Sequence, residues 1–329
     1  MSQLRGRRVE GIQEELDPMG ESDDSLLAQR IARNCGLPQG VEHVEALRKG
    51  YSDDRKYLVR TSDGGLYLLR LSSLAQQRRR MREFEILRAQ HRRGIACPDA
   101  ITAGADIAAG VFYAMYTFLP GRCLEEAMPD LTAAQQRRIG LASGRLLKQL
   151  HEMQAPAEGA DWPQRRRAKH ERYMKRLDDL GLKCPRRAEL DAFVSVNSHL
   201  MDSAPVRFQH DDFHPGNLIV DEDERVGVVD FNRCDWGDPI EDFYKLEWFG
   251  VPLSICFARG QVEGYLAGPD TGDFWLRYTL YAAMQALSCL AWAADHDSHC
   301  LAFWQERVER VTRSLNLDTG RPPAWFEGT

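Results

Sequence analysis

His210-Asp211-Asp212-Phe213-His214-Pro215-Gly216-Asn217 runs into Leu218-Ile219-Val220, an acidic turn over 221–224, and Val226-Gly227-Val228-Val229-Asp230-Phe231. Pro and Gly interrupt the first run, so it reads as a loop rather than a helix or strand. The apolar runs on either side of the acidic turn read as a β-hairpin. One Asp, an Asn five residues on and a second Asp thirteen residues beyond the Asn therefore gather on one loop and one short hairpin. Phosphoryl transfer requires such a set: a carboxylate that accepts a hydroxyl proton, and an amide oxygen and a second carboxylate that hold Mg²⁺. Asp, Asn, Gly and Pro also populate solvated turns for conformational reasons. His210 before the first Asp and Gly237-Asp238-Pro239 after the hairpin favour the chemical reading over a bare turn.

Working outward, Tyr57-Leu58-Val59-Arg60-Thr61 and Leu66-Tyr67-Leu68-Leu69-Arg70-Leu71 flank Ser62-Asp63-Gly64-Gly65. Asp followed by paired glycines supplies the φ > 0 positions of a hairpin. Leu26 to Cys35 predicts a short helix, and residues 75–92, free of Gly and Pro, predict a longer one. Val111 to Leu119 is rich in β-branched and aromatic residues and predicts a strand that stops at Pro120-Gly121. Asp130 or Thr132 is placed to cap a helix running to about Met153, with Ile139, Ala142, Leu146, Leu147 and Leu150 at helical spacing. Residues 165–200 predict helix broken at 181–185, and the chain after Pro239 is mostly helical to Leu317. The expected organisation is a mobile leader over 1–24, a small β-rich lobe over 25–118 that binds nucleotide, and a larger helical lobe over 119–329.

With 329 residues, 43% hydrophobic, the chain is long enough to bury a substantial core. Its net charge of −6 argues against a nucleic-acid partner and favours a cationic small molecule. Arg78-Arg79-Arg80 and Arg165-Arg166-Arg167 lie in predicted helices without interleaved aromatic residues, so they read as solvated faces. No apolar run reaches the roughly 18 residues needed to span a bilayer, so no membrane partner is expected. The first 24 residues lack the apolar core of a signal peptide, which points to the cytoplasm. Eight scattered cysteines without a C-x-x-C pair read as reduced thiols. A monomer or weak homodimer is expected.

The string HDDFHPGN…VVDFN…GDPIEDF resembles the aminoglycoside phosphotransferase family, relatives of protein kinases that include choline and macrolide kinases. The likeness spans about residues 40–300 and implies an α+β, bilobal, protein-kinase-like fold, ATP (or GTP) as donor, and Mg²⁺. By position it implies that Asp212 is the catalytic base and that Asn217 and Asp230 are metal ligands. It further implies that His210 braces the catalytic loop and that Asp238 is a supporting structural acid. Gly50-Tyr51-Ser52-Asp53-Asp54 falls where the family covers the phosphates, with Ser52 able to offer a hydroxyl or N–H; an ordinary β-turn fits as well. Arg70 stands where the family usually has a phosphate-pairing Lys, and a guanidinium keeps the charge without being equivalent. Its acidic partner is expected on the next helix: Glu83 first, Glu85 as the rival. Tyr113 to Gly121 resembles the inter-lobe linker, with the Thr117 C=O and Leu119 N–H turned to adenine; a plain core strand is the alternative.

Asp235, Glu241, Glu247 and Asp295, with Asp297, are candidate acceptor contacts. The resemblance implies an antibiotic as acceptor, and hence resistance; the acidic balance and these acids suit a polycationic one, an aminoglycoside first and a basic cyclic peptide of the capreomycin or viomycin type close behind. A metabolic acceptor, choline or a sugar derivative, is the next reading. Choline would call for an aromatic cage, and Trp275, Trp292, Trp304, Tyr278 and Tyr281 leave that open. A catalytically dead binding module is the competing class; Arg70 favours it, and intact Asp212, Asn217 and Asp230 oppose it. His210, Asp212 and His214 also form H-x-D-x-H, which suits a metal hydrolase only if other segments add ligands. His151, the nearest upstream His, reads as a helix-end residue.

Overall fold

The structure, a computed structural model, describes residues 23–47, 54–156, 161–268, 271–317 and 321–327. The chain divides after Leu119 into two compact units. Residues 1–22 of the expected leader, and Ser52, expected in the phosphate-covering loop, lie outside the described residues, while Asp23 and Asp24 already belong to the first helix, α1 (Asp23–Asn34).

In the first unit, β1 (Val41–Leu47), β2 (Arg55–Thr61), β3 (Leu66–Ser73), β4 (Ala100–Asp106) and β5 (Val111–Thr117) form an antiparallel sheet in the order β1-β2-β3-β5-β4. The predicted hairpin joins β2 to β3, and Gly64 takes φ 86 in its turn. Side chains alternate across the sheet. Tyr57, Val59, Leu69, Leu71 and Met115 pack with Ala28, Ile31 and Ala32 of α1. On the other face Tyr116 meets Phe84 of α2 (Gln77–Arg92), ring centroids 5.8 Å apart. The sequence did not assign β4, whose small residues Ala100, Ala103, Gly104 and Ala105 carry little strand signal. Gly104 lies opposite Tyr113 and under its ring: a Cβ there would sit 2.5 Å from the phenolic oxygen.

The second unit is mainly helical. It holds β6 (Arg122–Cys123), α3 (Leu124–Ala127), α4 (Ala133–His151), α5 (Trp162–Asp179) and α6 (Arg187–Asn197). The segment that follows alternates four three-residue strands with turns: β7 (Arg207–Gln209), β8 (Leu218–Val220), β9 (Val226–Val228) and β10 (Asp235–Gly237). Helices α7 (Ile255–Leu266), α8 (Phe274–His296), α9 (Leu301–Ser314) and α10 (Ala324–Glu327) complete it. Thr132, one of the two predicted caps, accepts from Gln135 N in a reciprocal capping box. Helix α8 is buried through every position from Arg277 to Met284, so it is the central helix. Trp275, Tyr278 and Tyr281 are core residues of that helix, at 3%, 0% and 0% exposure, rather than walls of a ligand cage. Among the described residues, no helix is long and apolar enough to cross a membrane.

Helices α4 and α7 meet backbone to backbone. A Cβ on Gly144 would lie 2.0 Å from Gln261 O, and one on Gly264 would lie 2.2 Å from Leu141 O. Gly140 and Gly260 face each other's helices in the same way, at 2.3 Å from Phe257 O and 2.4 Å from Arg137 O. Glycine inside a helix costs about 1 kcal/mol against alanine, so four such positions are explained by the close approach. Gly144→Val is expected to lower the unfolding free energy by about 3 kcal/mol through overpacking. Urea denaturation of variant and parent measures the difference.

Candidate active site

The loop after β7 is held by one carboxylate. Asp242, 1% exposed, accepts from His210 N at 2.8 Å through Oδ2 and from Asp211 N at 2.6 Å through Oδ1. His151 Nε2 lies 3.0 Å from Oδ2, and its Nδ1 is 3.0 Å from Tyr265 Oη. His151 is the last residue of α4, as expected, and at 5% exposure it also locks Asp242 in place. The backbone held this way is strained, because Asp211 takes φ 57. A left-handed non-glycine residue costs about 1 kcal/mol, which the two charge-assisted bonds offset. Burial pushes the Asp211 carboxyl up to about 6; Lys169 and Lys245 oppose the shift, and Glu241 and Asp242 add to it.

His210 is fully buried, its ring against Phe213 and Phe231 at 5.9 and 5.0 Å. Its Nε2 is 3.1 Å from Val229 O. A carbonyl only accepts, so Nε2 carries the proton and donates. Burial keeps the imidazole below its ordinary proton affinity despite the acids around it. This ties the loop to the end of β9 and leaves His210 unable to ligate a metal through Nε2.

Asn217 and Asp230 become neighbours through the hairpin register. Leu218 pairs with Val228, and one step outward Val229 N donates to Asn217 O at 3.0 Å. Asn217 Nδ2 donates to Asp212 O at 2.9 Å and approaches Asp212 Oδ2 at 3.2 Å, which leaves the amide oxygen for another partner. Asp230 takes φ 64, and among the described residues its carboxylate has no hydrogen bond or ion pair. A carboxylate and an amide oxygen both left unengaged among the described residues are oxygen donors of the kind that fit a hard divalent cation. His210, Asp212 and His214 do not combine as a hydrolase centre. Among the described residues, the grouping that brings three His, Cys or acidic ligand atoms within 4.8 Å is instead Asp297, His299 and Cys300, in the turn after α8.

Two cations and an imidazole surround Asp212. Lys245 Nζ lies 2.6 Å from Oδ1, His214 Nε2 3.7 Å from Oδ1, and Arg233 Nε 3.9 Å from Oδ2. Burial alone would raise its carboxyl, but His214 and Lys245 hold it well below the usual carboxylate range. Neither Asp242 nor Lys245 was singled out from the sequence. The string GDPIEDF includes Asp242, yet a carboxylate that binds backbone N–H groups leaves no matching residue type to find.

In the first unit, Arg70 on β3 has two acidic partners. Its guanidinium is 2.5 Å from Asp54 and 3.4 Å from Glu83. Arg80 also reaches both, at 2.6 Å and 2.9 Å. Glu83 is therefore the acid on α2, while Glu85 is exposed. The simple pair expected from the sequence is a four-residue cluster, with Asp54 closer to Arg70 than Glu83 is. Strand β5 ends at Thr117, whose N–H goes to Asp99 O at 2.9 Å. Phe118 N then donates to Leu66 O at 3.0 Å, so Leu119 is the next N–H along the chain.

Residues 43–275 match the model of the phosphotransferase enzyme family, APH. The chain belongs to that family. As a member it is a small-molecule phosphotransferase. No curated protein matches the chain in sequence. Solved structures do match in fold. A ternary complex of APH(2″)-IIa with streptomycin and ATP superposes with a TM-score of 0.63 at 15% identity, covering 94% of this chain and 99% of that one. The GDP complex of wild-type aminoglycoside 2′-phosphotransferase-IIIa gives 0.63 at 16% identity, with 88% and 99% covered. A thermostable mutant of APH(4)-Ia in ternary complex with ADP and hygromycin B gives 0.62 at 16% identity, with 92% and 100% covered. At such identities the likeness shows the fold alone.

The acids expected to meet the phosphotransferase's acceptor are already engaged. Glu241, 7% exposed, is 2.5 Å from Arg166 Nε and 3.1 Å from Gln209 Nε2. Glu247, 2% exposed, accepts from Tyr278 Oη at 2.5 Å, Trp325 Nε1 at 2.9 Å and the Ser314 hydroxyl. Both are structural: burial turns them into the helical core, which corrects their assignment as acceptor contacts. Asp235 pairs with Arg165 at 2.9 Å and Asp295 with Arg176 at 2.6 Å. Asp238, fully buried, accepts from Arg277 at 2.8 Å, Tyr281 at 2.6 Å and Ile240 N at 2.9 Å, which fixes the turn after β10 to α8. Asp242→Asn replaces one acceptor oxygen by a donor that faces an N–H. It is expected to cost about 3 kcal/mol of stability and to abolish turnover, read by urea unfolding and by nucleoside diphosphate release.

Proposed function

We propose that the protein transfers the γ-phosphoryl group of ATP or GTP, as the Mg²⁺ complex, to a hydroxyl of a small molecule. The observation that carries this is the placement of Asp212, Asn217 and Asp230 on one braced loop and hairpin, with the Asp230 carboxylate and the Asn217 amide oxygen unengaged among the described residues. Asp212 orients the acceptor hydroxyl. Held well below the usual carboxylate range, it is a weak base, which suits a loose transition state in which the proton leaves late. Asn217 and Asp230 hold the metal, which when bound neutralises charge on the phosphates. His210 and Asp238 support the loop and the strand behind it. Residues 25–118 form the nucleotide-binding lobe: Arg70, steadied by Asp54 and Glu83, contacts the phosphates, with Ser52 in the covering loop and Thr117 C=O and Leu119 N–H at the purine edge. Residues 119–329 carry the catalytic loop, the metal and the acceptor, and use of a nucleoside triphosphate fits the cytoplasm.

The acceptor is a cationic antibiotic, an aminoglycoside or a basic cyclic peptide of the capreomycin or viomycin type. The net charge of −6 supports this, as do neighbours solved with streptomycin, gentamicin and hygromycin B. A metabolic hydroxyl compound is the second reading, favoured by the engagement of Asp235, Glu241, Glu247 and Asp295 with internal partners. Diphosphate release on a panel of aminoglycosides, capreomycin, viomycin, choline and sugars decides between them. Release with none of these, alongside nucleotide binding, would point to a binding module. Asp212→Ala is expected to lower kcat about 10³-fold with the native fold retained by circular dichroism; near-normal turnover would sink the assignment. Removing divalent ions with EDTA is expected to stop turnover, and added Mg²⁺ to restore it.

A further inference from the structure

Lys245 comes from outside the loop it contacts. It follows the turn Pro239–Phe243 and precedes the helical segment Leu246–Gly250, and it is 6% exposed. Burying an ammonium costs several kcal/mol unless a charge compensates it. Its nearest aromatic neighbours, Tyr244 and Phe249, lie with ring centroids 5.2 and 5.4 Å from Nζ and offer only their faces. The compensating charge is Asp212, 2.6 Å away.

The contact also fixes the carboxylate. Lys245 holds Oδ1, while Asn217 Nδ2 lies 3.2 Å from Oδ2. With one donor on each oxygen, rotation about the Cβ–Cγ bond is blocked. His214 and Arg233, at 3.7 and 3.9 Å, are too far to do the same. His214 in turn stacks on Phe249 at 4.8 Å, so the segment that supplies Lys245 also backs the loop.

Resting on the assignment of Asp212 above, we infer that Lys245 is a positioning residue for the phosphoryl transfer: it holds the Asp212 carboxylate in the orientation that receives the acceptor hydroxyl. A simple packing role makes a different prediction. Tyr244 and Phe249 would accept an unbranched apolar chain of similar length, so methionine would replace lysine without loss if packing were all that mattered. A nucleotide-phosphate contact differs again, since its loss falls on nucleotide KM.

The test uses full-length Lys245→Met and Lys245→Arg with Asp212→Ala as reference. It follows Mg²⁺-ATP turnover with the best acceptor of the panel, or with water where none is found. Lys245→Met is expected to lower kcat 10- to 100-fold, the scale of a misplaced catalytic group, with nucleotide KM unchanged and the native fold retained by circular dichroism. Lys245→Arg, which restores a donor, is expected to recover part of the loss. Parental kcat in Lys245→Met, a rise in nucleotide KM with kcat intact, or an arginine variant no better than the methionine one each overturns the inference while leaving Asp212 in place. Parental turnover in Asp212→Ala overturns both.

Discussion

Two backbone N–H groups on one buried carboxylate hold this protein's chemistry together. Asp242 accepts from His210 and Asp211, and through them fixes a loop that otherwise has little regular structure. The bonds are charge-assisted, about twice as strong as neutral ones, and they hold Asp211 in a backbone conformation that few residues adopt. Everything placed by the loop inherits that constraint: the direction of Asp212, the position of Asn217 against β9, and the buried bond from His210 to Val229 O. The support reaches further back, through His151 to Tyr265.

The protein uses its charges mainly to build itself. The acidic excess of the sequence suggested an acid-lined acceptor surface. In the structure, the conspicuous carboxylates of the second unit meet arginines or sit in the core: Glu241 with Arg166, Asp235 with Arg165, Asp295 with Arg176, Asp238 with Arg277. Exposed pairs of this kind contribute little, about 0–1 kcal/mol each. The buried ones are costly to break, because a lone charge remains. Around Asp212 the sign reverses: Lys245 stands on Oδ1 and Arg233 approaches Oδ2.

The fold class, the hairpin and its three polar residues were legible because the signal is local: a turn, two apolar runs and fixed offsets. The β2–β3 hairpin and helix α4 with its Thr132 cap were legible for the same reason. Strands β7 and β10 were not, since three residues show no period. Strand β4 was not, since alanine and glycine replace the usual branched side chains. Partner choice was the least legible. Arg165 lies 70 residues from Asp235 and Arg176 lies 119 from Asp295, and no spacing rule connects them. Lys245 escaped notice for a related reason: its meaning depends on a contact with Asp212, 33 positions earlier in the sequence. Gly140, Gly144, Gly260 and Gly264 were visible as two four-residue intervals, but only the helix crossing gives them a purpose.

That crossing has a consequence for inheritance. A Cβ on Gly144 would lie 2.7 Å from Tyr265 N, and Tyr265 is the residue whose hydroxyl steadies His151. The contact that sets their separation is main chain against main chain, and it has no side chains to trade. Compensating substitutions, the usual route by which packed surfaces drift over generations, are closed to it. The exposed arginine–carboxylate pairs can be exchanged, reversed or lost one at a time. Substitutions can therefore accumulate singly on the charged surface while the helical frame beneath the loop admits none at its four glycines.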